Sequence, residues 1–312
     1  MKVGLWHDFR NPSPWRRPYD RLYRENLDQI AWAEELGYES VWLSEHHVTG
    51  EGYLPSTLPM LAAIAERTTT MRLGTSILLA PFHHPLRFAE DVAVVDQLSG
   101  GRLELGLGLG YRRREFELLG VPFDERAART ERLIEDARRA WADGTVTPPP
   151  AQHPEPPLWL GGHTPAAARR AARLRCGFLP DASVDEGLLR LYREHGGGTV
   201  AVNPTVYVGP WEDVADHLLY QHNTYADWGE RPRCATADDL PRHRYVVGEP
   251  DVVVEGLNRL IARTGCDRLY FWARLPGLPL ERANRSLERF ATEVMPHLVD
   301  PPAGQVVTSA VG

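Results

Sequence analysis

The chain has 312 residues, of which 43% are hydrophobic and 25% charged, with a formal net charge of −7. This composition is ordinary for a globular protein with a large core, and the charge excludes the basic surface that nucleic acid requires. The three cysteines fit neither a disulfide framework nor a zinc motif. With no apolar run of roughly 18 residues and no signal peptide, we expect a cytoplasmic protein.

In chain order, short β-forming runs alternate with longer amphipathic stretches. The predicted strands are residues 2–6, 40–44, 72–80, 102–107, 158–160, 178–181, 200–208 and 268–273. The predicted helices are residues 19–36, 57–66, 85–98, 125–143, 165–174, 183–194, 211–223, 251–264 and 280–295. Eight strands separated by helices are the count of an α/β (β/α)8 TIM barrel, which we predict as a single domain over residues 1–298.

Three segments fall outside this regular alternation. The Pro-rich stretch after residue 143 is predicted as a surface connector, because β–α units continue beyond it. Residues 225–247 are too long for a plain connector, so we expect a lid-like insertion over the barrel mouth, before the last helix–strand unit. Residues 299–312 are predicted to be a flexible C-terminal tail.

The second predicted strand ends in the sequence Ser44-Glu45-His46-His47. In such barrels the active site lies at the carboxyl ends of the strands, so Glu45 and His46 are the candidate catalytic residues. Side chains alternate along a strand, so His46 and His47 should point apart, which argues against one shared metal ion. We therefore predict no metal site. The alternative is that these polar groups only cap a strand end and bond a loop.

Two glycine-containing segments also follow predicted strands. Gly106, Gly108 and Gly110 form G-x-G-x-G after the fourth strand. Their missing Cβ atoms either allow tight barrel packing or let a planar ring lie close to the backbone. The segment GGHTP, residues 161–165, starts a helix whose free N–H groups and dipole suit a phosphate. The alternative there is a plain capped helix with Thr164 as its N-cap.

Five stretches of the sequence closely resemble the bacterial-luciferase-like flavin-dependent monooxygenases, in that family's order and over nearly the whole chain. They are WLSEHH (42–47), RLGTSILLAPFHHPLRFAEDVAVVDQLSGGR (72–102), GLGLGYRRREFELLG (106–120), LWLGGHTP (158–165) and LPGLPLERANRSLERFATEVMPHL (275–298). The resemblance implies a barrel that uses reduced FMN and dioxygen to oxygenate a small organic substrate. It carries no information about which substrate that is.

The resemblance also implies roles for individual positions. His46 matches the active-site histidine beside the reactive edge of the flavin, and the Ser76–Ile77 peptide bond matches one that is often cis. The positions implied to bind the cofactor are Thr75, Ser76, Ile77, Gly108, Gly110, Tyr111, Gly162, His163 and Thr164, with Arg126 as the phosphate cation. At Leu109 the luciferases carry a basic phosphate ligand, so light emission is not expected here.

The family contains two cofactor branches, one that binds reduced FMN and one that uses a deazaflavin for hydride transfer. The SEHH sequence resembles the FMN branch, because deazaflavin members more often carry Asp-His and an aromatic residue there. The sequence shows no second nucleotide site, so the resemblance implies a separate NAD(P)H-dependent flavin reductase as partner, and also a homodimer. The alternatives are a deazaflavin-dependent dehydrogenase and a flavin-binding protein without turnover.

Overall fold

The structure is a computed structural model that describes residues 1–300, and ten strands lie within that range. They are β1 Lys2–His7, β2 Ser40–Leu43, β3 Arg72–Leu79, β4 Leu103–Gly108, β5 Leu158–Gly161, β6 Gly177–Leu179, β7 Ala201–Val202, β8 Thr205–Val208, β9 Tyr245–Gly248 and β10 Arg268–Trp272. Eight of them form one parallel sheet in the order β6-β5-β4-β3-β2-β1-β10-β7. Parallel bridges from Phe178 to Val200 and from Asp181 to Asn203 join its two edges. The predicted barrel is therefore confirmed.

Ten α-helices lie between or beside these strands within residues 1–300. They are α1 Tyr19–Glu35, α2 Thr57–Ala65, α3 Pro85–Ser99, α4 Arg113–Leu119, α5 Arg126–Ala142, α6 Pro165–Arg173, α7 Glu186–Glu194, α8 Ala215–Trp228, α9 Pro250–Thr264 and α10 Leu280–Arg289. A π-helical turn, Phe290–Val294, follows α10 directly. In the described part of the chain, no helix combines the length and the apolar character that a membrane crossing needs.

Tryptophans fill the barrel interior, and glycines on neighbouring strands make room for them. Trp42 of β2 is fully buried, and a Cβ atom at Gly74 of β3 would lie 2.5 Å from its ring. Gly177 of β6 faces Trp159 of β5 in the same way, since a Cβ atom there would lie 2.2 Å from the indole. This pairing of large and small inward residues packs the interior and holds the strand ends around one mouth.

The seventh predicted strand, residues 200–208, consists of two strands. β7 belongs to the barrel, whereas β8 leaves it and pairs with β9 in a separate parallel sheet. Pro204 separates them, because proline has no N–H to donate to a ladder. The predicted 225–247 insertion is shorter in the structure, because α8 extends to Trp228 at its start and β9 begins at Tyr245 near its end. Residues 229–244 between them contain two 3₁₀ turns, Ala237–Asp239 and Arg242–Arg244.

Other boundaries differ by smaller amounts. The helix α4, of seven residues, is absent from the predicted elements, and α7 begins at Glu186 rather than at residue 183. In the predicted tail, the Asp300 carboxylate accepts a hydrogen bond from the Met1 amino group at 2.6 Å. Residues 301–312 of that predicted tail lie outside the described residues.

Candidate active site

The residues after β2 lie at the carboxyl end of the strand, where the barrel opens. His46 is buried there, with 8% of its surface exposed, and its backbone N–H donates to the Leu54 carbonyl at 3.1 Å. Its side-chain Nδ1 lies 2.9 Å from Glu115 Oε1. The loop after β2 and α4 thus hold the imidazole from two sides.

Glu115 of α4 is a site residue that the sequence analysis missed. Its Oε1 also accepts from the backbone N–H of His47 at 2.9 Å and from Arg112 Nη1 at 2.8 Å, so three groups share one oxygen. Only 1% of the residue is exposed. Its signal in the sequence is weak, because an Arg and a Glu three residues apart in RRRE usually lie on a solvated helix face.

Three aromatic side chains surround the His46 ring. Its centroid lies 4.8 Å from that of Tyr53, 5.7 Å from that of Tyr111 and 4.7 Å from that of Trp228. Trp228 is the last residue of α8, so this helix contributes the cover over the ring. Tyr111 is 46% exposed, so this side of the aromatic cluster reaches the surface. The predicted flavin residue Tyr111 and the predicted catalytic residue His46 are therefore neighbours.

His47 and Glu45 form a second imidazole–carboxylate pair at the same strand end. His47 Nε2 lies 2.7 Å from Glu45 Oε1, and its ring centroid lies 5.5 Å from that of Phe82. Glu45 Oε2 accepts from the backbone N–H of Leu79 at 3.2 Å. The two histidine side chains have different partners, in keeping with the predicted alternation. Glu45, predicted beside His46, bonds His47 instead.

Burial and partner charge act differently on the two imidazoles. Burial lowers the pKa of His46, and this outweighs the hydrogen bond and charge of Glu115, which raise it. Burial also disfavours the charged form of His47, but the bond and charge of Glu45 raise the pKa of His47 overall. His46 is therefore neutral at pH 7, whereas His47 keeps its proton to a higher pH than a free histidine does.

The predicted flavin-facing residues of β3 and β4 lie side by side at the mouth. The peptide bond between Ser76 and Ile77 is cis, as the resemblance implies. Ser76 Oγ lies 2.8 Å from the Tyr270 hydroxyl. A Cβ atom at Gly108 would lie 1.5 Å from Ile77 Cδ1, so the Ile77 side chain occupies that space. Gly110 adopts a φ of 75°, a conformation that favours glycine.

Thr75 and Gly106 belong to the barrel wall beneath this surface. Thr75 is fully buried, and its hydroxyl donates to the Gly106 carbonyl at 2.7 Å. A Cβ atom at Gly106 would lie 2.0 Å from the Thr75 carbonyl oxygen. The missing side chain of Gly106 is thus explained by tight packing, the alternative that the sequence left open.

The predicted phosphate segment lies at the start of α6 and is exposed. Thr164 is the N-cap, since its hydroxyl accepts from the Ala167 N–H at 3.2 Å. A Cβ atom at Gly162 would lie 2.4 Å from the Ala167 Cβ atom, so this glycine allows the helix to start where it does. His163 Nδ1 lies 3.5 Å from Asp181 Oδ2. The capped helix that the sequence offered as the alternative is therefore present.

Two arginines are relevant to this segment. Arg126, at the first position of α5, contacts Phe123 three residues earlier. Its Nη1 donates to the Phe123 carbonyl at 2.9 Å, and its guanidinium lies 3.9 Å from the Phe123 ring centroid. Arg244 of the insertion donates from Nη2 to Ser183 Oγ at 3.3 Å. Ser183 in turn bonds Asp181 beside the phosphate segment. Arg244 is therefore linked to that segment, whereas Arg126 is paired with Phe123.

A buried arginine just beyond the end of β1 was also missed by the sequence analysis. The Arg10 side chain is fully buried, with Nε 3.0 Å from Glu51 Oε2 and Nη1 4.0 Å from Asp8 Oδ2. Its guanidinium lies 5.5–5.8 Å from the ring centroids of Tyr53, Tyr220, Tyr225 and Trp228. Burial raises the pKa of Asp8 to about 6, against the opposing charge of Arg10. Arg10 thus packs α8, which covers His46, onto the barrel.

The residues at the mouth offer groups that suit a flavin rather than a metal ion. Within residues 1–300, no three His, Cys, Asp or Glu side chains are grouped to hold a metal. Half-buried Ile77, between Gly108 and Gly161, offers an apolar surface for a planar ring. At the start of α6, Pro165 has no N–H and the N–H groups of Ala167 and Ala168 bond Thr164, so Ala166 provides the remaining first-turn donor for a phosphate. The Asp181 carboxylate beside His163 has the same negative sign as a phosphate, and Arg244, which bonds Ser183, brings a positive charge to the same segment.

A parallel barrel with a carboxylate-held histidine at the carboxyl end of a strand is the arrangement of a barrel enzyme. The sequence matches the luciferase-like monooxygenase family over residues 1–268. This chain belongs to that family.

Three relatives show the range of the family. The chain is 25% identical to the flavin-dependent trigonelline monooxygenase, oxygenase component, of Acinetobacter baylyi, over 88% of this chain and 90% of that protein. The crystal structure of monooxygenase RslO1 from Streptomyces bottropensis superposes with a TM-score of 0.84 at 27% identity, over 95% of this chain and 99% of that one. An F420-dependent glucose-6-phosphate dehydrogenase of Microbacterium testaceum is 32% identical over 53% of this chain and 54% of its own length.

Proposed function

We propose that this protein is the oxygenase component of a two-component flavin-dependent monooxygenase. It takes reduced FMN from a separate NAD(P)H-dependent flavin reductase and uses dioxygen to transfer one oxygen atom to a small organic substrate. Family membership supports the oxygenase chemistry, and the Acinetobacter baylyi relative is itself named as an oxygenase component. The observation that carries the proposal is the buried His46, held by Glu115 and surrounded by Tyr53, Tyr111 and Trp228.

The protein's own residues hold, orient and shield the reactants. Reduced FMN, when bound, supplies the electrons and the position at which dioxygen reacts, and no side chain can do that. Tyr53 and Trp228 lie against His46 and keep water from that side of the ring. His46 Nε2, the nitrogen that Glu115 does not engage, accepts or returns a proton of the ligand.

The phosphate of the cofactor is proposed to lie at the start of α6, beside Gly162, His163 and Thr164. The Gly162 N–H donates to the Leu179 carbonyl at 3.4 Å, so the backbone donors proposed for the phosphate are those of His163 and Thr164. Arg126 is the cation that the resemblance implies, but its guanidinium covers Phe123. We place Arg244 first for this role, because it is linked to the segment through Ser183. Anaerobic titration with FMN and riboflavin separates the two arginines. Arg244→Gln should reduce the preference for FMN over riboflavin, and Arg126→Gln should leave that preference unchanged.

A deazaflavin-dependent dehydrogenase is the second candidate function. It is favoured by one observation, the 32% identity to an F420-dependent glucose-6-phosphate dehydrogenase over about half of both chains. The SEHH sequence after β2 supports FMN instead. The two functions differ in a product that can be measured, since only the first places an atom of dioxygen in the substrate.

The test supplies both cofactors to the same protein. Reduced FMN and the reduced deazaflavin are titrated anaerobically, and turnover is then followed with a flavin reductase, NADH, ¹⁸O-labelled dioxygen and a panel of organic substrates. We expect tighter binding of reduced FMN and one ¹⁸O atom in the product. His46→Ala is the matched control, which should keep FMN binding and lose incorporation. In a parallel assay the substrate panel is mixed with oxidised deazaflavin alone. Substrate-dependent reduction of that oxidised deazaflavin, with no ¹⁸O incorporation in the first assay, would contradict the proposal, and flavin binding with neither reaction would indicate a non-catalytic flavin-binding protein.

We further propose that the protein is a homodimer that packs through α3. Val94 and Leu98 are 47% and 48% exposed and lie four residues apart, so they are neighbours on one face of α3. An exposed apolar pair suits a second copy related by a two-fold axis. Light scattering at micromolar concentration should give the mass of two chains for the wild type and of one for a Val94→Glu, Leu98→Glu variant. A wild-type mass of one chain would refute the dimer.

A further inference from the structure

One carboxylate oxygen determines the chemistry of His46. Glu115 Oε1 lies 2.9 Å from His46 Nδ1, 2.9 Å from the His47 backbone nitrogen and 2.8 Å from Arg112 Nη1. A backbone N–H and a guanidinium can only donate hydrogen bonds, so Oε1 acts as an acceptor towards both. An acceptor oxygen makes a hydrogen bond with Nδ1 only when Nδ1 carries the hydrogen. The geometry therefore fixes the position of the His46 proton.

The protonation state of Glu115 agrees with this assignment. Burial alone would raise the pKa of Glu115, but the bonds from His46 and His47 and the charge of Arg112 lower it overall. The carboxylate is therefore ionised at neutral pH, with no proton of its own to give to Nδ1. Its second oxygen, Oε2, is buried and has no hydrogen-bond partner among residues 1–300.

The other ring nitrogen of His46 is free for a ligand. Within residues 1–300, no group makes a hydrogen bond with Nε2, and the ring is surrounded by Tyr53, Tyr111 and Trp228. A neutral imidazole with its proton on Nδ1 has a lone pair on Nε2. In the absence of a ligand, this nitrogen is therefore an acceptor and not a donor.

The groups that face His46 from the surrounding elements are few. Glu115 and Glu45 raise its pKa, and Arg112 lowers it. Tyr53 and Tyr111 contact the ring but are themselves neutral, because burial raises the pKa of Tyr53 well above its usual value and also raises that of Tyr111. Trp228 of α8 brings no charge. Glu115 is thus the charged group that bonds the imidazole directly.

We propose that Glu115 is a positioning residue that holds His46 as the Nδ1–H tautomer, so that Nε2 accepts a proton from an O–H or N–H group of the bound substrate. The proton moves from that group to Nε2, the imidazolium is balanced by the Glu115 carboxylate, and the proton leaves to solvent as product departs. The site therefore selects substrates with an ionisable O–H or N–H, such as a phenol, at the reacting end. The substrate class rests on the proposed function, whereas the tautomer does not.

The tautomer is read directly by NMR of the full chain without any cofactor. Side-chain ¹⁵N–¹H correlation spectra of ¹⁵N-histidine protein distinguish protonated from unprotonated ring nitrogens, and His46→Gln assigns the His46 signals. We expect a protonated Nδ1 and an unprotonated Nε2 in the wild type. Glu115→Met, which keeps the side-chain length but removes the acceptor, should shift the population predominantly to Nε2–H. Glu45→Met is the matched control and should leave the His46 tautomer unchanged.

Two results would overturn the proposal. One is a wild-type His46 with its proton on Nε2, which is decisive even if Glu115→Met does not fold. The other is a folded Glu115→Met with the wild-type tautomer.

The pH profile of turnover separates positioning from a merely structural role. Glu115→Gln keeps the shape of the side chain but removes the negative charge that raises the pKa of His46. The acid limb of kcat/KM, which reports the loss of neutral His46, should therefore move to lower pH. A structural role would lower the whole profile without moving that limb. If no substrate is turned over at all, the proposed function fails, while the NMR result still decides the tautomer.

Discussion

Two neighbouring histidines at the end of β2 each bond a carboxylate, and their pKa values move in opposite directions. The inner pair is His46 with Glu115, and the outer pair is His47 with Glu45. The His46 side chain is 9% exposed and that of His47 is 19% exposed. For His46 burial outweighs the carboxylate, and for His47 the carboxylate outweighs burial. A carboxylate partner alone therefore does not tell whether an imidazole is charged.

The two pairs accordingly suit different tasks. The neutral inner imidazole has a free Nε2 in an aromatic pocket, which suits proton transfer to or from a ligand. The outer pair fastens one strand end to another, because Glu45 also accepts the backbone N–H of Leu79 at the end of β3. We therefore expect changes to the inner pair to affect turnover as well as stability, and changes to the outer pair to affect mainly stability.

The largest difference between the pairs is expected in turnover. His46→Ala should reduce kcat/KM by roughly 10²–10⁴, the range for loss of a general acid–base group. His47→Ala, the matched control on the same strand end, should cost far less, and flavin binding should change little in either variant. Steady-state oxygen uptake with a reductase measures the first effect and anaerobic flavin titration the second. Equal losses in both variants would mean that the strand end is structural only.

The carboxylates are expected to differ in their contribution to stability. Glu115→Ala leaves three donors without their acceptor, one of them the Arg112 guanidinium, and should lower the free energy of unfolding by roughly 3 kcal/mol. Glu45→Ala removes the acceptor of His47 and of the Leu79 N–H, so a loss of about half that size is expected. Urea unfolding of both variants gives the two values. A smaller loss for Glu115→Ala would contradict the ranking.

A change outside both pairs provides a baseline. Thr164→Ala removes the N-cap of α6 and should cost about 1 kcal/mol of stability. If the cofactor phosphate lies at this helix start, the variant should also narrow the preference for FMN over riboflavin. The titrations of His46 and His47 should stay as in the wild type. An unchanged FMN-to-riboflavin ratio would place the phosphate elsewhere.

The smallest expected effect is a pH dependence of stability. The folded protein binds the His47 proton more tightly than the unfolded chain does. The outer pair therefore contributes its full stabilisation of the fold below about pH 6.5, and this contribution is lost as the pH rises through the pKa of His47 in the folded protein. His47→Gln should therefore be more destabilising at pH 5.5 than at pH 8.5. His46 has a lowered pKa, so protonating it on acidification destabilises the folded protein. His46→Gln should therefore reduce the loss of unfolding free energy between pH 8.5 and pH 5.5. Urea unfolding at both pH values tests these opposite signs.

The parts of this account that the sequence could predict depend on local pattern. The eight-strand alternation, the position of His46 after β2 and the Thr164 cap each follow from residues within a few positions of one another. The division of residues 200–208 into two strands could also have been predicted, because Pro204 interrupts the run. These features are fixed by backbone geometry that short segments specify by themselves.

The missed features depend on contacts between distant segments. Glu115 reaches His46 across 69 residues, from a helix of only seven residues within a charged run. Arg10 owes its burial to α8, more than 200 residues later in the sequence. Arg244 meets Ser183 only because the insertion folds back over the segment after β6. No local pattern distinguishes such residues from ordinary solvated charges.

The opposite pKa shifts of His46 and His47 are tested most directly by titrating both histidines in one sample. Histidine labelled with ¹³C at Cε1 gives one signal for each of the 12 histidines, and His46→Gln and His47→Gln assign the two of interest. The chemical shifts followed over pH give each midpoint without substrate or cofactor. The account predicts a midpoint below 6.5 for His46 and above 6.5 for His47. Equal midpoints, or the reverse order, would contradict it.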